Sequence, residues 1–497
     1  MVRTGLVATL SCAAMATALP AFAQPFEQIV SLNSNAFSDT HDDGAVALAS
    51  DGKGRWMAVW ETLNNFGGHP AMHDWDIIVA SSRDEGRTWS PARPLAESAL
   101  RDHALDNSPA IATDGTGTWV AAWQSRDLRG GKIGPDSDIL WSRSTDDGAT
   151  WSEPVPVAEY ALRDTGQDFH PEVLAVGGGA WLIAWESFEP VEGTGRDSDL
   201  LVARSSDNAE TWSAPRPLNA NATSDRDTDR QVTLASDRGG KKILAGWEAY
   251  SSLGGTIGMD WDVLIADSSD GGQTWSQPRP LAPSRAGSDG FAGDESLSLA
   301  TSGNGRWMAV WTAYVGKVGD EEDDWDILTA SSKDGGQTWS DPVSLNGPFK
   351  TDTHRDLQPR IVHDGAGRWV ALWYSKDSMG KTKGSDSDLL VSVSTDDGKT
   401  WSHSQFLAAY ATRDGKSWDD RAVLATDGRG MVLAAWAGSF NIDGKTGSDG
   451  DIRVVAMPKD TRPAPWNPAP PAAAASGGAS APTAVVPSPT PAARVSP

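Results

Sequence analysis

Acidic side chains recur in pairs along this chain, and paired carboxylates are what a protein uses for acid–base work on a glycosidic bond or to hold a hard cation. Seven pairs return at similar spacing: Asp39/Asp43, Asp102/Asp106, Asp164/Asp168, Asp225/Asp229, Asp289/Asp294, Asp352/Asp356 and Asp414/Asp419. Further pairs such as Asp136/Asp138, Asp260/Asp262 and Asp386/Asp388 lie between them. A feature copied seven times is the mark of architecture, because catalytic sites are made by asymmetry. Most of these acids are therefore expected to cap strand starts, tied to backbone N–H groups or to Arg101, Arg163 and Arg413. Asp164 and Asp168 stand in the least repetitive copy, beside Tyr160 and the Phe169-His170 pair, whose rings can stack on a sugar. With Glu186, which follows a tryptophan and can partner a tyrosine, they form the catalytic candidates. His69 and His73, near Asp74 and Asp76, are too few for a structural zinc site, and no EF-hand spacing is present. No cofactor is expected, calcium being the one ion these acids would suit.

The acids must be positioned by repeated elements. The word Ser-x-Asp-x-Gly-x-Thr-Trp occurs at 82–89, 144–151, 205–212, 268–275, 332–339 and 394–401, with Ala209 in place of one glycine. It fits a tight β-hairpin: the carboxylate accepts from turn N–H groups, glycine supplies a positive φ, and the indole covers the hairpin. Asp84, Asp146, Asp207, Asp270, Asp334 and Asp396, with Trp89, Trp151, Trp212, Trp275, Trp339 and Trp401, are thus expected to be structural. Each word sits in a longer unit of four short strands, A to D. The last tryptophan of strand B counts the units as seven: Trp60, Trp123, Trp185, Trp247, Trp311, Trp373 and Trp436. The seventh unit stops at Met457 without a D strand, while Val30-Ser31-Leu32-Asn33 repeats the D-strand sequence Val343-Ser344-Leu345-Asn346. In Trp56-Met57-Ala58-Val59-Trp60 both alternating sets are apolar, so both faces of the sheet are buried. The pattern predicts an all-β, single seven-bladed β-propeller of four-stranded blades, closed by the N-terminal strand completing the last blade. A solenoid would need capping units instead. In a propeller the D–A and B–C connections share one rim, which gathers the acids near the channel mouth.

The eight-residue word resembles the Asp-box, or BNR, repeat of the sialidase superfamily, and the resemblance covers about residues 26 to 457. It implies a β-propeller and an exo-α-sialidase type of glycoside hydrolase, with three arginines on the substrate carboxylate, a Tyr–Glu nucleophile pair and an Asp acid/base. Arg230, Arg360 and Arg421, at or near strand A starts, are the substrate-binding candidates. The Arg-Ile-Pro word of active sialidases is absent; the first unit reads Asp43-Gly44-Ala45-Val46-Ala47, and Pro359-Arg360-Ile361 is its nearest echo. An acidic rim repels an anionic substrate unless arginines dominate locally. Two alternatives follow. One is a non-catalytic propeller that binds a glycan or protein. The other is a two-carboxylate glycosidase for neutral polysaccharide, similar to some seven-bladed Asp-box propellers in glucan-degrading enzymes.

Composition sets the surroundings. A formal charge of −25 argues against nucleic acid as a partner. Arg3, the apolar run Gly5 to Leu19 and Ala21-Phe22-Ala23 read as a signal peptide over 1–23, and Cys12 within it is the single cysteine. No segment is long enough to span a membrane. The expected domain is 24–457, followed by a disordered Pro/Ala/Ser-rich tail over 458–497. The mature chain is expected to be a monomer, secreted to the periplasm or beyond, with an extracellular glycan or glycoprotein as partner.

Overall fold

A computed structural model describes residues 29–32, 41–63, 74–100, 104–126, 134–162, 165–195, 197–224, 226–237, 239–285, 293–315, 324–346, 355–376, 387–408, 418–439 and 449–457. The expected signal peptide and tail lie outside the described residues, as do Asp164, His69 and His73.

The described strands form seven four-stranded antiparallel sheets, each in the order A-B-C-D. Strands A are Asp43–Ser50, Asp106–Thr113, Asp168–Gly177, Thr228–Ser236, Asp294–Gly303, Asp356–His363 and Asp419–Thr426. Each packs against strand A of the blades on either side, blade 7 against blade 1 included, so the A strands line a closed ring. In the last sheet Ile29–Ser31 takes the D position beside Asp451–Met457, pairing Ile29 with Val455, Val30 with Val454 and Ser31 with Arg453. The borrowed strand fixes closure with backbone hydrogen bonds and covers the outer edge of Asp451–Met457.

Strand B explains the stability of the ring. All seven residues of Trp56–Thr62 are buried, as are all seven of Val432–Gly438. Alternate side chains enter the seams to left and right, and the buried apolar residues fall into clusters that each bridge two adjacent blades. Trp60 packs in the 7/1 seam with Leu433 and Ala435, while Val59 packs in the 1/2 seam with Trp119 and Trp123.

The Asp boxes are built as the sequence predicts. In blade 5 Asp334 Oδ1 accepts from Ser332 Oγ at 2.8 Å and from the Thr338 N–H at 2.9 Å. Ser332 Oγ also takes the Gly336 N–H at 2.9 Å. The Thr338 hydroxyl and N–H hold the Asp334 carboxyl down at about 2, and Thr150 does the same for Asp146, also at about 2. Gly148, at φ 78°, has no room for a Cβ because the Met57 methyl occupies the space. Ala209 adopts the same turn at φ 58°, its N–H bonded to Ser205 Oγ at 3.0 Å and its methyl buried in the 2/3 seam.

Candidate active site at the channel mouth

Strand A begins at the rim with the repeated aspartate, and this carboxylate is held by its own blade and by the end of the blade before it. Asp229 accepts from the Trp247 indole at 2.7 Å and from Asn219 Nδ2 at 2.6 Å; Asp419 accepts from the Trp436 indole at 2.9 Å. Arg285 pairs with Asp294 at 3.1 Å, and Asn346 bridges Asp326 and Asp356. In blades 4 and 7 the strand-start aspartate is thus an anchor joined to the final tryptophan of strand B.

Two residues later, strand A bulges through the left-handed region at Ser108, His170, Gln231, Ser296, Gln358 and Arg421, with φ between 50° and 56°. Such a conformation costs a non-glycine residue roughly 1–2 kcal/mol, and it leaves an N–H out of register with its own sheet. At four seams the residue after the strand B tryptophan of the preceding blade accepts that N–H. Glu61 Oε2 takes Ser108 at 2.8 Å, Gln124 Oε1 takes His170 at 3.2 Å, Thr312 Oγ1 takes Gln358 at 3.1 Å, and Glu248 Oε1 takes Ser296. These are latches between neighbouring blades.

The closure seam departs from the pattern. The residue after Trp436 is Ala437, the position opposite it is Ala45, and Gly44 precedes it. Short side chains there open a pocket of about 320 Å³ between blades 7, 1 and 2. Gly44 is required, since a side chain on it would collide with the Glu61 carboxylate. Glu61 spans the site: its Oε1 accepts from Arg421 Nη1 at 2.8 Å while Oε2 holds Ser108. The Arg421 side chain stays 54% exposed, with donors to spare. Trp75 and Trp418 supply aromatic walls, Trp418 being 40% exposed. Asp42 lies at the edge, its Oδ1 accepting from the Gly450 N–H at 2.9 Å. Burial pushes the Asp420 carboxyl up, Arg421 draws it down and Glu61 adds to the rise, leaving it above the usual carboxylate range. Burial also raises the Tyr374 phenol on blade 6, with the Asp420 charge adding to it. Aromatic walls, a guanidinium and an acid biased toward its protonated form suit a sugar ring and a glycosidic oxygen.

The residues singled out from sequence are dispersed. Tyr160 OH donates to Asp168 Oδ2 at 3.0 Å, and Asp168 is only 1% exposed, inside the blade. Burial and then the Asp168 charge push the Tyr160 phenol well up. Glu186 lies 3.4 Å from His170 Nδ1. Arg230 is bound to Glu248 at 2.8 Å and Glu295 at 3.4 Å, and stacks 3.8 Å from the centre of the Trp261 ring. Arg360 lies in the channel among the charges of Glu172 and Glu248. Arg421, bound to Glu61, belongs to the seam pocket, so Arg230 and Arg360 share the surroundings of Glu248 while Arg421 stands apart. Asp420, Glu61, Trp75 and Trp418 were not picked out from sequence. The readable signal was the residue after each strand B tryptophan, which runs Glu61, Gln124, Glu186, Glu248, Thr312, Tyr374 and then Ala437.

Among the described residues no group of three or more His, Cys, Asp or Glu is placed to hold a metal ion, and no helix is long and apolar enough to cross a membrane.

Residues 179–418 match the BNR repeat-like domain. A sialidase of Bacteroides fragilis (strain YCH46) is 29% identical over 161 residues, which is 28% of this chain and 28% of that protein. The chain thus matches little more than a quarter of that curated relative's length. Among solved structures, a Hadza microbial sialidase is 17% identical, with 84% of this chain and 66% of that one covered at a TM-score of 0.42. The α-L-arabinanase of Penicillium chrysogenum complexed with arabinobiose is 15% identical, with 71% and 93% covered at a TM-score of 0.43.

Proposed function

From the premise that this chain is a propeller of the BNR, or Asp-box, repeat type of the sialidase superfamily, we propose that it is exported and acts on an extracellular glycan held in the closure-seam pocket. The observation that carries the reading is the break in sevenfold symmetry: at the closure seam the residue after the strand B tryptophan is Ala437, too short to reach across, and aromatic walls and carboxylates surround the space. Trp75 and Trp418 would stack on the sugar. Asp420, whose pKa burial raises, would donate to the leaving-group oxygen. Asp42, across the seam, would take the proton of the attacking water, and Glu61 would hold Arg421 toward the sugar. Retaining or inverting outcome depends on the carboxylate separation in the bound state.

The acid-rich surroundings favour a neutral glycan. A sialoside is the second reading, and the exposed donors of Arg421 favour it. The test is turnover and binding by the mature chain on sialosides and on neutral glycosides, compared with Asp420→Asn and Trp418→Ala. Loss of a general acid lowers kcat by about 10²–10⁴-fold, and that is the result expected for Asp420→Asn. Turnover untouched by both substitutions overturns the reading. Binding that needs Trp418, with no product formed by the unsubstituted chain, converts it to a non-catalytic glycan receptor.

A further inference from the structure

Among the described residues the exposed large apolar side chains are not spread evenly. Leu105, Phe188, Tyr250, Met259 and Trp418 stand on the channel-mouth rim, and the other two, Val155 and Val343, lie on outer D strands. Within that rim blades 4 and 5 share a device absent from the other described blades. Their B and C strands run past the aspartate that opens strand C elsewhere: Tyr250 pairs with Trp261 and Tyr314 with Trp325. The ring centres are 5.6 Å apart in the first pair and 5.4 Å in the second. In the other described blades the B–C ladder stops at the aspartate, as at Thr62 with Asp76 or Ser375 with Asp388.

The two pairs are neighbours. Gly293, at the entry to blade 5, is flanked by both tryptophans; a Cβ on it would stand 3.3 Å from the Trp325 ring and 3.9 Å from Trp261. The two ring pairs, Tyr250 with Trp261 and Tyr314 with Trp325, thus form a ridge over two adjacent blades, with Gly293 between them. Arg230 lies against the Trp261 ring and is itself gripped by Glu248 and Glu295, so the indole is held in place. Tyr250 is 39% exposed and Met259 beside it 53%. Rigid rings with polar tips, repeated at the spacing of the blades, offer large contact area at low entropic cost.

We propose that this ridge is a carbohydrate-binding surface for a neutral polysaccharide chain, separate from the closure-seam pocket. The repeat of one ring pair on adjacent blades suits a ligand that itself repeats. The carboxylates of the rim and a net charge of −25 select against anionic polymers. The proposal shares with the proposed function only the premise that this rim faces glycans; it does not require the pocket to be catalytic.

The test is affinity electrophoresis of the whole chain through gels holding soluble arabinan, β-glucan, xylan or galactomannan, with alginate as the anionic control. At least one neutral polymer is expected to retard the protein, and alginate is not. Tyr250→Ala and Trp325→Ala should each weaken that retardation about tenfold, while Val155→Ala, on an outer D strand, leaves it in place and Trp418→Ala removes only what the pocket contributes. Tyr250 is a surface side chain, so its substitution carries the test even where Trp325→Ala disturbs blade 5; thermal melting checks each variant. Retardation by no neutral polymer, retardation of Tyr250→Ala equal to that of the parent chain, or loss confined to Trp418→Ala would each overturn the ridge. That last outcome would leave the pocket reading intact, and the reverse pattern would leave the ridge standing without it.

Discussion

The seam between blades 4 and 5 and the seam between blades 7 and 1 are made from the same repeat and do opposite things. At the first, Glu248 reaches across to the bulged N–H of Ser296 and also holds Arg230 at 2.8 Å, so the seam is shut by a buried carboxylate. At the second, Ala437 has nothing to reach with, Gly44 and Ala45 put at most a methyl into the space, and a pocket remains. The difference teaches that a symmetric propeller acquires a pocket by deletion of side chains. Short side chains at one seam expose groups that the other blades use internally, while the N-terminal strand pairs the start of the chain to the last blade.

The comparison can be broken most severely at its shut end. Glu248→Ala strands the Ser296 N–H and leaves Arg230 without its buried partner, which should cost about 3 kcal/mol in chemical denaturation at neutral pH. A loss below 1 kcal/mol would show that the latch is ornamental. The open end is tested by filling it. Ala437→Gln places in the pocket the side chain that blade 2 uses as a latch, and glycan affinity should fall about tenfold or more. Its melting temperature should fall less than that of Glu248→Ala; unchanged affinity would detach the pocket from binding. A weaker latch calibrates the scale: Thr312→Val keeps the shape but removes the acceptor for Gln358, and should cost about 1 kcal/mol.

The smallest effect is spread over several acids and is read by pH. Burial raises Glu172 to about 7 against the pull of Arg360. Burial and the charges of Asp260 and Asp294 raise Asp262 to about 7, and burial raises Asp294 to about 6 against Arg285. These carboxyls hold a proton more tightly folded than unfolded. Their contribution is therefore greatest below the unfolded value of about 4 and fades as pH rises through about 7. The Asp-box carboxyls have the opposite sign: Asp146 and Asp334, lowered to about 2, contribute above about pH 4 and lose that contribution as pH falls toward 2. Thermal stability should thus peak between about pH 4 and 6 and decline on both sides. Stability still rising from pH 6 to 8 would contradict the burial of Glu172 and Asp262.

The sequence by itself determined the architecture, because local chemistry and repetition suffice for it. Ser, Asp, Gly, Thr and Trp at fixed offsets specify a hairpin without reference to the rest of the chain. Seven strand B tryptophans count the blades, and the orphan Val30-Ser31-Leu32 names its partner by matching the strands the last unit lacks. The site was another matter. Asp168 looks exceptional among the repeated acids and folding turns it inward to Tyr160, whereas the closure-seam pocket comes from Gly44, Ala45 and Ala437, which carry no chemistry of their own. Glu61 and Arg421 are 360 positions apart and meet only when the ring closes. A pocket formed by the absence of side chains leaves no motif; it exists only where the first blade is set against the last.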